Sequence, residues 1–436
     1  MIYVHIPFCR SFCTYCDFYS EVAAKCRGAE DARNQEVLFE RFADALCKEI
    51  RHRADEISDE TNTLYIGGGT PSVLPLYVFK RILSALEEAG HGGPYDEFTV
   101  EVNPEDIVDK GSDYVRGLLD LGVNRISMGV QSFDDGILRF MNRRHDAATA
   151  RRAYAILEEA GVQNISIDLI FGLPQLSDGQ WEETLKDALT ISSSGRLPQH
   201  ISSYQLSVEP GSMLARLVQR GKWKEASEEL CEHQYEMLCQ ALHRAGYHHY
   251  EISNFALPGY EAKHNSAYWR HIPYAGFGPG AHSFGLHIRT LNAPMATSHQ
   301  YNPGDPAAAA GFPQQRSAGP SANSSRGWEN TTSAYQTQGG EYVRSWNKPD
   351  LECYLSDHIS CRDGEHLTEE QMVMEKIMLA LRTSEGIPED YLRQHCNPEA
   401  YARALAECGL VRLPDDRVRI PEDRFFISDA IISDLI

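Results

Sequence analysis

Cys9, Cys13 and Cys16, in Cys-Arg-Ser-Phe-Cys-Thr-Tyr-Cys, follow directly on the first apolar run of this chain and constrain it more than any other feature. Three thiolates at that spacing hold three irons of a cubane [4Fe–4S] cluster and leave the fourth iron open to a ligand. With 11 cysteines in 436 residues, chance supplies that spacing only about 0.007 times. A zinc site is the plainer alternative. Zinc takes four ligands, however, and the fourth would have to be His5 or a distant cysteine. The neighbours Phe8, Phe12, Tyr15 and Phe18 suit a dry pocket around a cluster, and they suit ordinary core equally.

A chain of 436 residues exceeds one typical core, so two domains are the prior. No apolar run approaches the ~20 residues of a membrane span. The N-terminus shows no charged segment followed by an apolar one, so no signal peptide is expected. A reducing cytoplasm is therefore the expected setting, and Cys26, Cys47, Cys231, Cys239, Cys353, Cys361, Cys396 and Cys408 read as structural thiols. A net charge of −21 argues against a general nucleic-acid binder, which needs a basic surface to neutralise phosphates.

Strands are predicted at Ile2–Ile6, Thr63–Ile66, Phe98–Val102, Arg125–Val130, Ile165–Ile170 and His200–Leu206, with a weaker one at His249–Ile252. Helices fall between them, as at Leu76–Glu88, Ala147–Ala160, Trp181–Ile191 and Ser227–Ala245. Strands alternating with helices mean βαβ units and a parallel sheet. The fold class is α/β, a partial (β/α)6-type barrel. Parallel sheets place ligands beyond the carboxyl ends of their strands. The cysteine loop, Gly67-Gly68-Gly69-Thr70-Pro71, Glu101-Val102-Asn103-Pro104, Gln131-Ser132-Phe133 and the Asp168 strand ending in Gly172-Leu173-Pro174 all fall there. Glycines let backbone approach a ligand without a Cβ in the way. Glu101, Gln131, Arg143 and Asp168 suit a zwitterion and a ribose. Taken singly, each is more often a structural polar group.

These motifs resemble the radical S-adenosylmethionine (SAM) superfamily. Within it they resemble the branch of the oxygen-independent coproporphyrinogen III oxidases and the HemW-type haem chaperones. The matching runs are Tyr3 to Cys9, the cysteine triplet, Tyr65 to Ser72, Glu101 to Pro104, Gly122 to Arg125, Gly129 to Phe133 and Asn142 to His145. They continue with Asp168 to Pro174, Tyr250 to Ala256, His264 to Trp269 and Gly278 to Ser283, and so cover nearly the whole chain. The resemblance implies that Cys9, Cys13 and Cys16 ligate the cluster. It implies SAM contacts at Tyr3, Tyr15, Gly68, Gly69, Thr70, Glu101, Gln131, Arg143 and Asp168. Reduction of the cluster would cleave SAM to a 5′-deoxyadenosyl radical.

Two relatives must be separated. The oxidases carry a fourth cysteine two residues after the triplet, and an N-terminal arm. Here Phe18 holds that position, and with two residues before Tyr3 no arm is expected. The chaperones carry Phe there, and a His-Asn-x-x-Tyr-Trp motif that is His264 to Trp269 here. That implies haem as a ligand, with His264 as its axial histidine, and His282 shaping the barrel mouth. The expected function is a haem chaperone handing haem to an acceptor such as a respiratory-chain protein. A flavodoxin or ferredoxin is the expected electron donor, and peripheral association with membrane respiratory proteins follows. The alternatives are decarboxylation of coproporphyrinogen III, or a radical methyltransferase or haem-degrading relative using a second SAM.

Two departures stand out. Gln175-Leu176-Ser177 replaces the usual Gly-Gln-Thr. Residues 286–341 interrupt a normally short passage, and Asn302–Gly340 is too poor in large apolar residues to offset its ordering entropy. A disordered insertion without catalytic role is predicted. The expected units are thus a barrel over 1–285, the insertion over 286–341, and a small α+β domain over 342–436. In the last, helices at Glu370–Leu381, Pro388–His395 and Pro398–Cys408, a hairpin at Leu410–Leu413 and Arg417–Ile420, and a helix at Ser428–Ile436 suggest a winged-helix shape. The acidic charge favours packing or partner binding over DNA.

Overall fold

Two central strands of the N-terminal two thirds alternate over most of their length, and that alternation decides what the barrel encloses. In Arg125-Ile-Ser-Met-Gly-Val-Gln131 and over Ile165-Ser-Ile-Asp-Leu169, the apolar residues pack in the core outside the lumen. The polar ones turn into the lumen, where Ser127 Oγ lies 3.3 Å from Asp168 Oδ1 and Ser166 Oγ 2.8 Å from His200 Nδ1. Parallel strands covered on both faces usually read as continuous apolar runs. A polar inner face marks a lumen built to hold something other than core.

The structure, a computed structural model, describes residues 1–22, 29–286 and 341–436. Six parallel strands form the wall: β1 (Ile2–Ile6), β4 (Thr63–Gly68), β5 (Glu97–Val102), β6 (Arg125–Gln131), β7 (Ile165–Phe171) and β8 (His200–Gln205). Between β1 and β4, the two short strands β2 (Phe8–Cys9) and β3 (Glu21–Val22) pair in parallel and bracket the cysteine loop. Helices such as Leu76–Glu88, which buries Val78, Phe79, Ile82 and Leu86, cover the outside. The α/β class and the partial-barrel form match the sequence reading.

Three differences have physical causes. First, β4, β6 and β7 run one or two residues further than expected, because Gly67 and Gly68, Gln131 and Phe171 stay in the ladder. Second, the weak strand expected near residue 249 is one arm of a hairpin, β9 (His248–Glu251) and β10 (Asn254–Ala256), and β10 pairs antiparallel with β8. Third, β11 (Ala275–Phe277) pairs in parallel with β1 on its other side. Three residues carry too little alternation to be legible as β10 or β11.

Beyond β11, the mouth strand β12 (His282–Leu286) pairs antiparallel with β13 (Tyr342–Asn347), and β13 with β14 (Arg362–His366). The predicted disordered insertion lies outside the described residues, except at its ends. The C-terminal elements follow the winged-helix order: a helix (Glu369–Leu381), β15 (Ile387–Pro388), two helices (Glu389–His395, Pro398–Ala406), the pair β16 (Val411–Arg412) and β17 (Arg417–Arg419), and a final helix (Ser428–Leu435).

One cysteine reading is corrected. Cys353 and Cys361 form a disulfide. Asp350 caps the helix Leu351–Ser356 through the Cys353 N–H, and the turn after it, held by Asp357, returns the chain so that the two Cα atoms lie 6.0 Å apart. Their spacing carries no such signal by itself. Cys47, Cys231, Cys239, Cys396 and Cys408 are free thiols, and Cys26 lies outside the described residues. Among the described residues no helix is long and apolar enough to cross a membrane.

Glu49, on the helix Ala29–His52, is fully buried and joins these layers. Its carboxylate pairs with buried Arg53 and accepts from Gly278 N at 2.9 Å, Asn347 Nδ2 at 2.8 Å and Tyr354 Oη at 2.7 Å. Removing one member of a buried ion pair leaves the other uncompensated and costs about 3–5 kcal/mol. Glu49→Ala should lower unfolding stability by that amount in urea titrations. A loss below about 1 kcal/mol would show that water replaces the carboxylate.

Candidate functional site

The cysteine loop has no repeating secondary structure, so its neighbours set its shape. Gly69 N donates to Ile6 O and Thr70 N to Phe8 O, both at 2.7 Å. Thr14 N donates to Met141 O at 3.0 Å, Leu214 N to Thr14 O at 2.8 Å, and Asn142 Nδ2 to Phe12 O at 2.6 Å. The glycines make the approach possible. A Cβ on Gly69 would lie 2.7 Å from Phe8 O and 3.1 Å from Cys9 Sγ. Gly68 has φ +105°, and a Cβ there would meet the His5 ring at 2.7 Å.

Cys9, Cys13 and Cys16 line one cavity of about 110 Å³ at the carboxyl ends of the strands. Tyr3, Tyr15, Gly68, Gly69, Thr70, Glu101, Gln131, Arg143 and Asp168 line the same cavity, so the structure gathers every residue expected at the cluster and at SAM. Among the described residues no three His, Cys, Asp or Glu converge tightly enough for a single metal ion. Thiols spread around a cavity suit a cluster, in which each sulfur takes a different iron. His5, the zinc alternative's nearest ligand, is tied by Nδ1 to Tyr3 Oη at 3.0 Å and by Nε2 to Tyr19 O at 2.9 Å. Burial pushes the Cys9 thiol above its ordinary pKa, against hydrogen bonds from Thr70 and Ser20. A bound metal would stabilise the thiolate there.

The polar wall is a connected set. Tyr65 Oη donates to Glu101 Oε1 at 2.7 Å, and Gly68 N to its Oε2 at 3.2 Å. Arg143 donates to Cys13 Sγ at 3.4 Å through Nη1, and to Asn103 Oδ1 and Gly129 O at 2.7 Å through Nη2. Gln131 takes φ +70° where the register between β6 and β7 slips. A left-handed backbone is costly for a residue with a side chain, and it turns this amide at the strand end.

Asn103 falls in the Glu101-Val102-Asn103-Pro104 run, but the sequence assigns it no role of its own. It holds Arg143 through Oδ1 and Thr70 Oγ1 through Nδ2 at 3.1 Å. It stands at the N-cap of the helix Pro104–Asp120, yet its side chain makes no capping bond. An Asn before Pro at a strand end is the signal that could have found it.

The structure does not bring His264 to this cavity. It lies at the opposite end of the strands, where Thr63 begins β4 and Glu97 begins β5. Its Nδ1 is 2.9 Å from Thr63 Oγ1, its Nε2 3.1 Å from Tyr268 Oη, and its N–H donates to Glu97 Oε1. Its ring is buried against Tyr65. Both ring nitrogens lie within hydrogen-bond distance of hydroxyl groups.

A second cavity of about 280 Å³ adjoins the first and shares Tyr3, Tyr15, Cys16 and Phe18 with it. Its far wall is His282, Trp346 and Tyr274, with Tyr204 to one side and Asp17 and Glu209 among its polar residues.

Replacing any of Cys9, Cys13 or Cys16 with Ala should drop reconstituted iron and sulfide from about four of each per chain to near zero. Unchanged content in all three variants would remove the cluster assignment. Asn103→Ala should keep the iron but weaken SAM binding about tenfold, as expected for losing a hydrogen bond to a charged group. Equal SAM affinity in calorimetry would make Asn103 irrelevant to the site.

Known proteins agree with this geometry. The profile of the radical SAM superfamily matches residues 3–188. The haem chaperone HemW of Synechocystis sp. is 36% identical over 286 residues, 65% of this chain and 65% of that protein. The haem chaperone HemW of Lactococcus lactis is 37% identical over 299 residues, 69% of this chain and 73% of that protein. Among solved structures, the coproporphyrinogen III oxidase HemN of Escherichia coli, a radical SAM enzyme, superposes with a TM-score of 0.69. It does so at 20% identity, over 99% of this chain and 89% of that one, a likeness of fold. Cysteine motif, fold and relatives agree: the chain belongs to the radical SAM superfamily, in the family of the HemW haem chaperones.

Proposed function

We propose that this chain is a haem chaperone that binds haem and passes it to an acceptor protein. The observation that carries the reading is the pair of joined cavities, one lined by thiols and polar groups, the other by aromatic rings. Cys9, Cys13 and Cys16 would hold the [4Fe–4S] cluster. Arg143, Glu101, Gln131 and Asp168, with the open backbone of Gly68 and Gly69, would hold SAM. The cluster, when bound, supplies a low-potential electron and an open iron site for a small zwitterion. Tyr3, Tyr15 and Phe18 line both cavities and form the partition between them.

Phe18 supports the chaperone over the oxidase. It stands where the oxidases place a fourth cysteine, and it lines both cavities. The wall of the larger cavity supports it too. Its described residues include Asp17 and Glu209 and no Lys or Arg. Coproporphyrinogen III carries four carboxylates, and such a wall repels them. Haem carries two, both on one edge, which can remain in water.

A cytoplasmic location, with a flavodoxin or ferredoxin as electron donor and a membrane respiratory protein as acceptor, belongs to the same proposal. The free thiols of Cys9, Cys13 and Cys16 suit a reducing setting, and the Cys353–Cys361 disulfide is the one cysteine pairing among the described residues that does not.

Reconstituted protein, SAM, a low-potential reductant and coproporphyrinogen III, incubated without oxygen, provide the test. The expected result is no loss of carboxyl groups by mass, with haem bound by the same preparation in an absorbance titration. Conversion of two propionates to vinyl groups would make the chain an oxidase and overturn the reading.

A further inference from the structure

In a chain with 62 acidic and 41 basic residues, three segments that meet at the cysteine loop carry no carboxylate: 7–16, 136–145 and 210–224. Hydrogen bonds join them. Thr14 N donates to Met141 O at 3.0 Å, Thr14 Oγ1 to Phe140 O at 2.8 Å, and Leu214 N to Thr14 O at 2.8 Å. Trp223 stacks on Phe140, with ring centroids 6.1 Å apart and planes at 22°. The joined surface carries Arg139, Arg144, Arg216, Arg220, Lys222 and Lys224, all exposed. Among the described residues none of the six makes an ion pair, whereas Arg10 of the cysteine loop is neutralised by Asp106 and Asp109. The acids that open the helix Asp135–Phe140, Asp134 and Asp135, accept from the backbone N–H groups of Gly136, Ile137 and Ala147.

Two large apolar side chains stand exposed on the same segments, Phe12 at 50% and Met213 at 52%. The Phe12 carbonyl is held by Asn142 Nδ2, between Arg139 and Arg144 in the chain. Met213 and Arg216 lie one turn apart on the helix Met213–Gln219, on the same face. An apolar centre inside a polar, charged rim is the anatomy of a protein interface. A rim of one sign steers a partner of the other. The neighbouring mouth has the opposite sign, because the larger cavity is lined by Asp17 and Glu209 and by no Lys or Arg. An acidic partner is therefore drawn to the thiol side and turned away from the other. Phe12 precedes Cys13 and also lines the thiol cavity, so a partner seated on it is one residue from a cluster ligand. Redox encounters are short-lived and need less than about 1,200 Å² of contact.

We propose that this basic rim docks an acidic protein that carries a one-electron centre and reduces the cluster past Phe12 and Cys13. One electron leaves the carrier's reduced centre and enters the cluster, and no bond forms or breaks. The proposal rests on the cluster assignment within the proposed function, and it names the surface and the charge by which the electron donor is recognised.

A flavodoxin and a ferredoxin, both acidic, serve as probes and are titrated by calorimetry into the cluster-loaded wild type and two charge-reversal variants. The rim variant is Arg216→Glu/Arg220→Glu/Lys222→Glu. The control, Lys48→Glu/Lys80→Glu/Arg244→Glu, makes the same change in net charge at exposed positions of three outer helices. Reduction of the cluster by each photoreduced carrier and by dithionite is followed through the loss of visible absorbance. Iron content and circular dichroism serve as folding controls. The wild type should bind a carrier at low salt and release it as salt rises. The rim variant should bind at least tenfold more weakly and be reduced at least tenfold more slowly by the carrier, at an unchanged rate by dithionite, while the control matches the wild type. Wild-type affinity and rate in the rim variant would overturn the proposal, as would equal losses in the rim variant and the control. Binding of the rim to phosphatidylglycerol vesicles and to neither carrier would overturn it in favour of a membrane surface. A wild type that holds no iron would sink the cluster assignment and this rim with it. An iron-loaded wild type that binds neither carrier sinks the rim alone.

Discussion

The rest of the site depends on hydrogen bonds that pin an irregular loop from several sides. The cysteine loop receives Gly69 and Thr70 from the end of β4, Met141 and Asn142 from the segment after β6, and Leu214 from the segment after β8. Three thiols can surround one cavity only if the backbone between them is held, and a loop of this kind cannot hold itself. Each anchor is a backbone group, or an amide such as that of Asn142, so the loop's shape is set by where the strands end. The chemistry of the site is thereby tied to the closure of the barrel.

Glu49 extends that dependence to the second cavity. Its carboxylate joins the Ala29–His52 helix to Gly278 after β11, to Asn347 at the end of β13, and to Tyr354 beyond it. Asn347 is itself part of the wall of the larger cavity. The Leu351 N–H donates to Tyr19 Oη at 2.7 Å, which brings the same segment against the cysteine loop. One buried carboxylate thus sets the spacing between the mouth strands and the loop that carries the thiols.

Much of this was legible in the chain, because the local rules agree with the global fold. The apolar and polar alternation of β6 and β7 announces both strand and lumen. The cysteine spacing and the glycine run announce the site. What escaped reading depends on distant partners. Asn103 looks like a helix cap and acts as a brace for Arg143 and Thr70. The partners of His264, Thr63 and Tyr268, lie at the other end of the strands from the thiols, and only the fold brings Thr63 to it. Cys353 and Cys361 meet only because a capped helix and a turn fold back on themselves. β11 is three residues with almost no pattern, and its place beside β1 follows from barrel closure alone.

Tyr3, Tyr15, Cys16 and Phe18 are walls of two cavities at once. A ligand in either cavity therefore packs against residues whose other surface faces its neighbour. Whatever free energy one occupant exerts on those rings is felt by the other. Thermodynamic linkage makes that influence reciprocal: if filling the small cavity changes the affinity of the large one by some factor, filling the large one changes the small one by the same factor. The shared aromatic partition makes occupancy of the two compartments a joint property of the molecule.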